Sequence, residues 1–97
     1  MKKSEHPRIV VPREHVARVI EALHRRINER LDEKGDGSFI TPQEAFGVLA
    51  GEVFELQGAI HSGTDDHQKW EWMDIAVTAV FEMASLDVRA VSQEEGK

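Results

Sequence analysis

Cysteine is absent from the 97 residues, which excludes disulfides, zinc-thiolate sites, iron–sulfur clusters and thiol nucleophiles. Basic charge is also in short supply. Twelve Lys and Arg stand against eighteen Asp and Glu, a formal charge of −6. That balance argues against nucleic-acid polymers and anionic membranes as partners, because both call for a basic face. No apolar run approaches the ~20 residues of a membrane span. Met1-Lys2-Lys3 leads into no hydrophobic signal region, so a cytoplasmic location is expected. There is no strand-period segment, internal repeat, phosphate-binding glycine loop or Ser/His/Asp arrangement. The histidines His6, His15, His24, His61 and His67 lack metal-ligand spacing and are assigned no chemistry.

What is present reads as helix. Residues 1–12 form a polar arm carrying Pro7 and Pro12, and its apolar knot Ile9-Val10-Val11 is expected to dock on the domain. Val16, Val19, Ile20, Leu23, Ile27 and Leu31 recur at spacings of three and four, predicting a first helix over 13–33. Gly35-Asp36-Gly37-Ser38 breaks it. Thr41-Pro42-Gln43-Glu44 reads as a capping box with proline at the first helical position, opening a second helix over 42–61. A third helix is predicted over 66–88, followed by a disordered tail at 91–97. The expected fold is all-α: one helical domain over 13–90. A chain this short buries a thin core, so completion by self-association is expected.

The second helix places Ala45, Leu49, Val53, Leu56 and Ile60 on one stripe, with Glu52 and Glu55 on its shoulder, one turn apart. Gly47, Gly51, Phe54 and Gly58 lie on the opposite side. Mid-helix glycines each cost about 0.8–1 kcal/mol against alanine, and close approach of another helix would compensate. The third helix is apolar around most of its circumference, as a buried helix is. Yet Glu71, Asp74, Thr78, Glu82 and Ser85 share one narrow stripe. A buried acidic seam needs partners, either Arg or Lys from a neighbouring helix or a metal ion. Glu52-x-x-Glu55 and Glu71-x-x-Asp74 on antiparallel helices bring four carboxylates toward one point. An all-oxygen donor set favours Mg²⁺ or Mn²⁺.

Leu49-Ala-Gly-Glu52-Val-Phe-Glu55-Leu-Gln-Gly-Ala59-Ile60, followed by Glu71-Trp-Met-Asp74, resembles the signature of MazG-like all-α nucleoside triphosphate pyrophosphohydrolases. The resemblance covers roughly residues 45–80. It implies that Glu52, Glu55, Glu71 and Asp74 bind magnesium. The implied reaction cleaves a nucleoside triphosphate to a monophosphate and pyrophosphate, with Glu52 or Glu55 as base. It also implies dimers or dimers of dimers. The chain departs from the pattern at Gly51, where the family carries a glutamate, and little sequence follows the third helix to supply base and phosphate contacts. Both departures keep a second reading open: a non-catalytic helical module that works by association.

Arg26 and Arg30, one turn apart, are candidates to meet a triphosphate or the acidic seam, with Lys34 and Thr78 as further substrate-binding candidates. Trp70 and Trp72 read as core or interface anchors. Asp32 to Glu44 looks like a calcium-binding EF-hand loop, but no frame fits. Starting at Asp32 puts Lys34 at position three and Gln43 at twelve. Starting at Glu33 restores Glu44 at twelve and loses the glycine at six.

Overall fold

The computed structural model describes residues 8–95. Three helices make up the fold: α1 (Arg13–Lys34), α2 (Pro42–Ser62) and α3 (Asp65–Glu95). The all-α expectation holds, and no strand occurs among the described residues.

Local chemistry sets the helix ends. Pro12 stands extended before α1, and Gly35 closes it with φ +84°, its N–H donating to the Leu31 carbonyl. A left-handed backbone suits glycine there. The capping box forms as the sequence predicts. Thr41 Oγ1 accepts from the Glu44 N–H at 3.1 Å, and Glu44 Oε1 accepts from the Ile40 N–H at 2.8 Å. Thr64 caps α3, its hydroxyl accepting from the His67 N–H at 3.1 Å. Between α2 and α3, a Cβ on Gly63 would lie 2.8 Å from the Ala59 carbonyl oxygen, so only glycine fits without a shift. The third helix runs seven residues beyond its expected end at 88. The sequence offers no glycine or proline between Gly63 and Gly96 to stop it. The expected disordered tail is therefore helical to Glu95, and Gly96 and Lys97 lie outside the described residues, as do residues 1–7 of the arm.

α3 is the spine. It packs along α2 and more sparsely along α1, whereas α1 and α2 make no close backbone approach among the described residues. The core is thin: Phe39, Ala45, Leu56, Ala59, Met73 and Val77, with Thr78 and Ser85 buried among them. Two expectations need correction. The buried face of α2 is centred on Ala45, Leu56 and Ala59, rotated away from Val53 and Ile60, both of which are exposed. The rotation moves Glu52 from the shoulder into the seam. The apolar side of α3 is not buried within the chain either. Its polar stripe faces inward, while Trp72, Met83 and Leu86 are exposed. The inward stripe finds hydrogen-bond partners for most of its polar atoms, Glu82 Oε1 being buried without one, and it packs beside the buried Met73 and Val77 of the same helix.

Much apolar surface is therefore uncovered. The Ile9-Val10-Val11 knot does not dock: Ile9 is 90% exposed. No residue of α1 is fully buried, and Val16, Val19 and Ile20 face outward. Phe54 is 76% exposed, and a Cβ on Gly47, Gly51 or Gly58 would meet nothing within 4 Å. The radius of gyration is 17.2 Å, against about 12.5 Å for a compact chain of this length. The accessible surface is 8132 Å², against about 5,600 Å² for a compact monomer of this mass.

Candidate functional site

The acidic seam lies where α2 meets α3. Glu52 is half-buried, and its Oε1 accepts from the Thr78 hydroxyl at 2.7 Å. Burial pushes the Glu52 carboxyl above its ordinary range. The Thr78 hydrogen bond opposes the shift, the Asp74 carboxylate adds to it, Arg30 opposes it, and Glu55 adds to it. Glu52 thus feels Asp74 and Glu55 as like charges and Arg30 as the nearby cation. These influences on Glu52 come from all three helices, while Glu55 itself is exposed on α2.

Each other member of the stripe has a partner. Arg26 Nη2 lies 3.5 Å from Asp74 Oδ1, while Arg26 Nη1 lies 3.5 Å from Glu29. The same guanidinium sits over the Trp70 ring, 5.9 Å from its centroid. His67 Nε2 lies 3.4 Å from Glu71 Oε1. Glu82 Oε2 accepts from Arg89 Nη2 at 3.0 Å, and Ser85 Oγ accepts from the Phe39 N–H at 3.1 Å. Of the two ways to satisfy the seam, the structure uses side chains for Asp74, Glu71 and Glu82. Among the described residues, no group of three or more His, Asp or Glu is already gathered to hold a metal ion. The four candidate donors are all oxygen, the ligand type magnesium prefers, with Glu52, Glu71 and Asp74 half-buried and Glu55 exposed.

Beside the seam lies a cleft of about 270 Å³, lined by Arg30, Leu31 and Lys34 from α1, the loop 35–39, Glu44 and Val48 from α2, and Phe81 from α3. Two cations, loop residues and Phe81 therefore surround a space whose lining includes none of Glu52, Glu55, Glu71 and Asp74. The lining anion, Glu44, is engaged in its capping bond to Ile40. Arg30 belongs both to the cleft and to the neighbourhood of Glu52.

The candidates therefore divide. Glu52 and Asp74 are half-buried and Glu55 is exposed, and Glu52 feels the charges of Asp74, Arg30 and Glu55. Glu71 sits on the same face of α3 and is held by His67. Arg26 reaches the seam rather than the cleft, and Lys34 lines the cleft. Thr78, expected to face substrate, is buried and donates to Glu52. The EF-hand frame has no counterpart, because Asp32 and Glu33 lie inside α1 and Phe39 is buried against α3. Sequence reasoning missed His67, although its i,i+4 spacing to Glu71 was there to be read. It also missed Arg89, which continues the stripe one turn past Ser85.

No protein-family model matches the chain, and neither a curated protein nor a solved structure matches it significantly. The chain is all-α, with three helices and, among the described residues, no helix long and apolar enough to cross a membrane.

Proposed function

We propose that the chain is a Mg²⁺-dependent nucleotide pyrophosphohydrolase that works as a homo-oligomer in the cytoplasm. The observation that carries this reading is Arg30, which lines a cleft together with Lys34 and also acts electrostatically on the half-buried Glu52. Glu52, Glu55, Glu71 and Asp74 would hold the ion, with Arg26 and His67 giving up their present partners. A divalent ion there supplies charge neutralisation and polarisation of the phosphate oxygens. Arg30 and Lys34 bind and orient the phosphates in the cleft. One carboxylate of α2, Glu52 or Glu55, accepts the proton of the attacking water. The half-apolar wall made by Leu31, Val48 and Phe81 accommodates the nucleoside end and keeps bulk water away from it. Self-association is supported by the excess surface and the uncovered faces of α1, α2 and α3, since a two-fold contact covers such faces twice.

The test is to incubate purified protein with canonical, deoxy and modified nucleoside triphosphates in Mg²⁺. Release of pyrophosphate and monophosphate is expected, abolished by Glu55→Gln. No release across the panel leaves a binding role only. One observation favours that second reading, a non-catalytic helical association module: Arg26 pairs with Asp74, and His67 lies 3.4 Å from Glu71, without an ion.

A further inference from the structure

The loop between α1 and α2 carries no regular structure, yet its centre is among the most firmly held points of the chain. Phe39 is buried, and both of its backbone polar groups are taken by side chains nearly fifty residues away. Its N–H donates to Ser85 Oγ, and its carbonyl accepts from Arg89 Nη1. Its ring meets Phe81 edge-on, with centroids 5.4 Å apart and planes at 77°. The other arm of the Arg89 fork bonds Glu82 Oε2 at 3.0 Å. Glu82, Ser85 and Arg89 follow one another at steps of three and four, so a single face of α3 presents all three. Arg89 and Glu82 are both largely buried, with 19% and 18% of their side chains exposed. A guanidinium serves this arrangement because its rigid fork holds two acceptors at once, which an ammonium on a flexible stem does not.

What the clamp holds is the wall of the cleft. Gly35, Gly37, Ser38 and Phe39 line it, and the loop leads from the helix bearing Arg30 and Lys34 to the helix bearing Glu52 and Glu55. α1 and α2 make no close approach of their own, so the position of the cations relative to the carboxylates rests on α3 and on this loop.

We propose that Ser85 and Arg89 are positioning residues for a phosphate-bearing ligand: by pinning both sides of Phe39 they fix the loop wall that faces Arg30 and Lys34 across the cleft. The proposal rests on the hydrolase reading for the identity of the ligand, and neither residue touches that ligand. Misplacing binding groups by about an ångström is enough to cost one to two orders of magnitude in a positioned site.

The probe is inorganic pyrophosphate with Mg²⁺, titrated calorimetrically into the full chain, alongside steady-state kinetics on whichever nucleotide turns over. Two variants are compared with wild type. Ser85→Ala removes the acceptor for the Phe39 N–H. Arg89→Lys keeps a cation beside Glu82 and gives up the second arm of the fork. Helix content and melting temperature are recorded for each. The expected result is about tenfold weaker pyrophosphate binding in both variants, KM raised by a similar factor, kcat within about twofold, and an unchanged Mg²⁺ requirement. A merely structural role would lower the melting temperature and the active fraction while leaving KM and pyrophosphate affinity as they were, and that outcome overturns the proposal. Pyrophosphate binding that responds to both variants, without turnover of any nucleotide by wild type, sinks the hydrolase reading and keeps the clamp. Wild type that does not bind pyrophosphate overturns the clamp proposal.

Discussion

Replacing Gly51 by leucine has opposite consequences in an isolated chain and in an assembled one. Within the chain, a Cβ at position 51 meets nothing within 4 Å, and the residue lies in the middle of α2. Leucine is a strong helix former, so Gly51→Leu should stabilise the isolated fold by about 0.8 kcal/mol. For a chain of this length that corresponds to roughly 3–6 °C in melting temperature. The proposed self-association reverses the sign. A glycine face with Gly47 and Gly58 alongside permits close helix approach, and a leucine inserted there overpacks the contact by about 1–3 kcal/mol. A two-fold axis near the residue doubles that cost, giving about 2–6 kcal/mol per dimer, or roughly 30-fold to above 10⁴-fold in the dissociation constant. Sedimentation over a concentration series, with thermal melts at each concentration, reads both effects. The expected pattern is a wild type whose melting temperature rises with concentration and a variant that melts higher than wild type when dilute but associates far less. A Gly51→Leu protein that associates as well as wild type would refute the assignment of this face. A wild type that sediments as a monomer at tens of micromolar would refute the oligomer.

Two further outcomes follow from the seam. Glu52→Gln keeps an oxygen to accept from the Thr78 hydroxyl and removes a carboxylate whose pKa is raised, first by burial and then by Asp74 and Glu55. A carboxyl with a raised folded-state pKa holds its proton longer folded than unfolded, so wild type loses stability as pH climbs from about 4.5 through the raised value. Metal-free Glu52→Gln should therefore match wild type near pH 4 and be the more stable at pH 7 by denaturant melts; lower stability at pH 7 would contradict the burial account. Arg26→Ala frees Asp74, a pair held at 3.5 Å and about one-third exposed on each side. It should cost at most about 1 kcal/mol of stability while tightening Mg²⁺ binding in nucleotide-free protein, as followed by calorimetry; unchanged Mg²⁺ affinity would remove Asp74 from the ligand set.

The helices were legible because their signals are local. The Thr41–Glu44 capping box, the glycine after Lys34 and the periodic apolar positions each act within one or two turns. The seam was half legible. Its stripe on α3 is a property of spacing, and the need for partners follows from the cost of burying charge. That Glu52 meets Thr78 depends on the rotation of α2 about its axis, and the apolar stripe misjudged that rotation because Val53 and Ile60 are left uncovered while Ala59 is buried. The clamp on Phe39 was not legible at all. It joins a loop to residues 46 and 50 positions away, and periodicity carries no information on such a pairing. The exposure of Trp72, Met83 and Leu86 was hidden for a related reason: an apolar surface in sequence does not say whether its cover comes from the same chain or another.

If Glu52, Glu55, Glu71 and Asp74 serve one divalent ion, as proposed, electron paramagnetic resonance of Mn²⁺ added to the nucleotide-free protein can count that ion. One site per chain is expected, lost or weakened in Glu55→Gln and in Asp74→Asn alike, and displaced by Mg²⁺. Binding that survives both substitutions, or no binding by wild type at millimolar Mn²⁺, would contradict it.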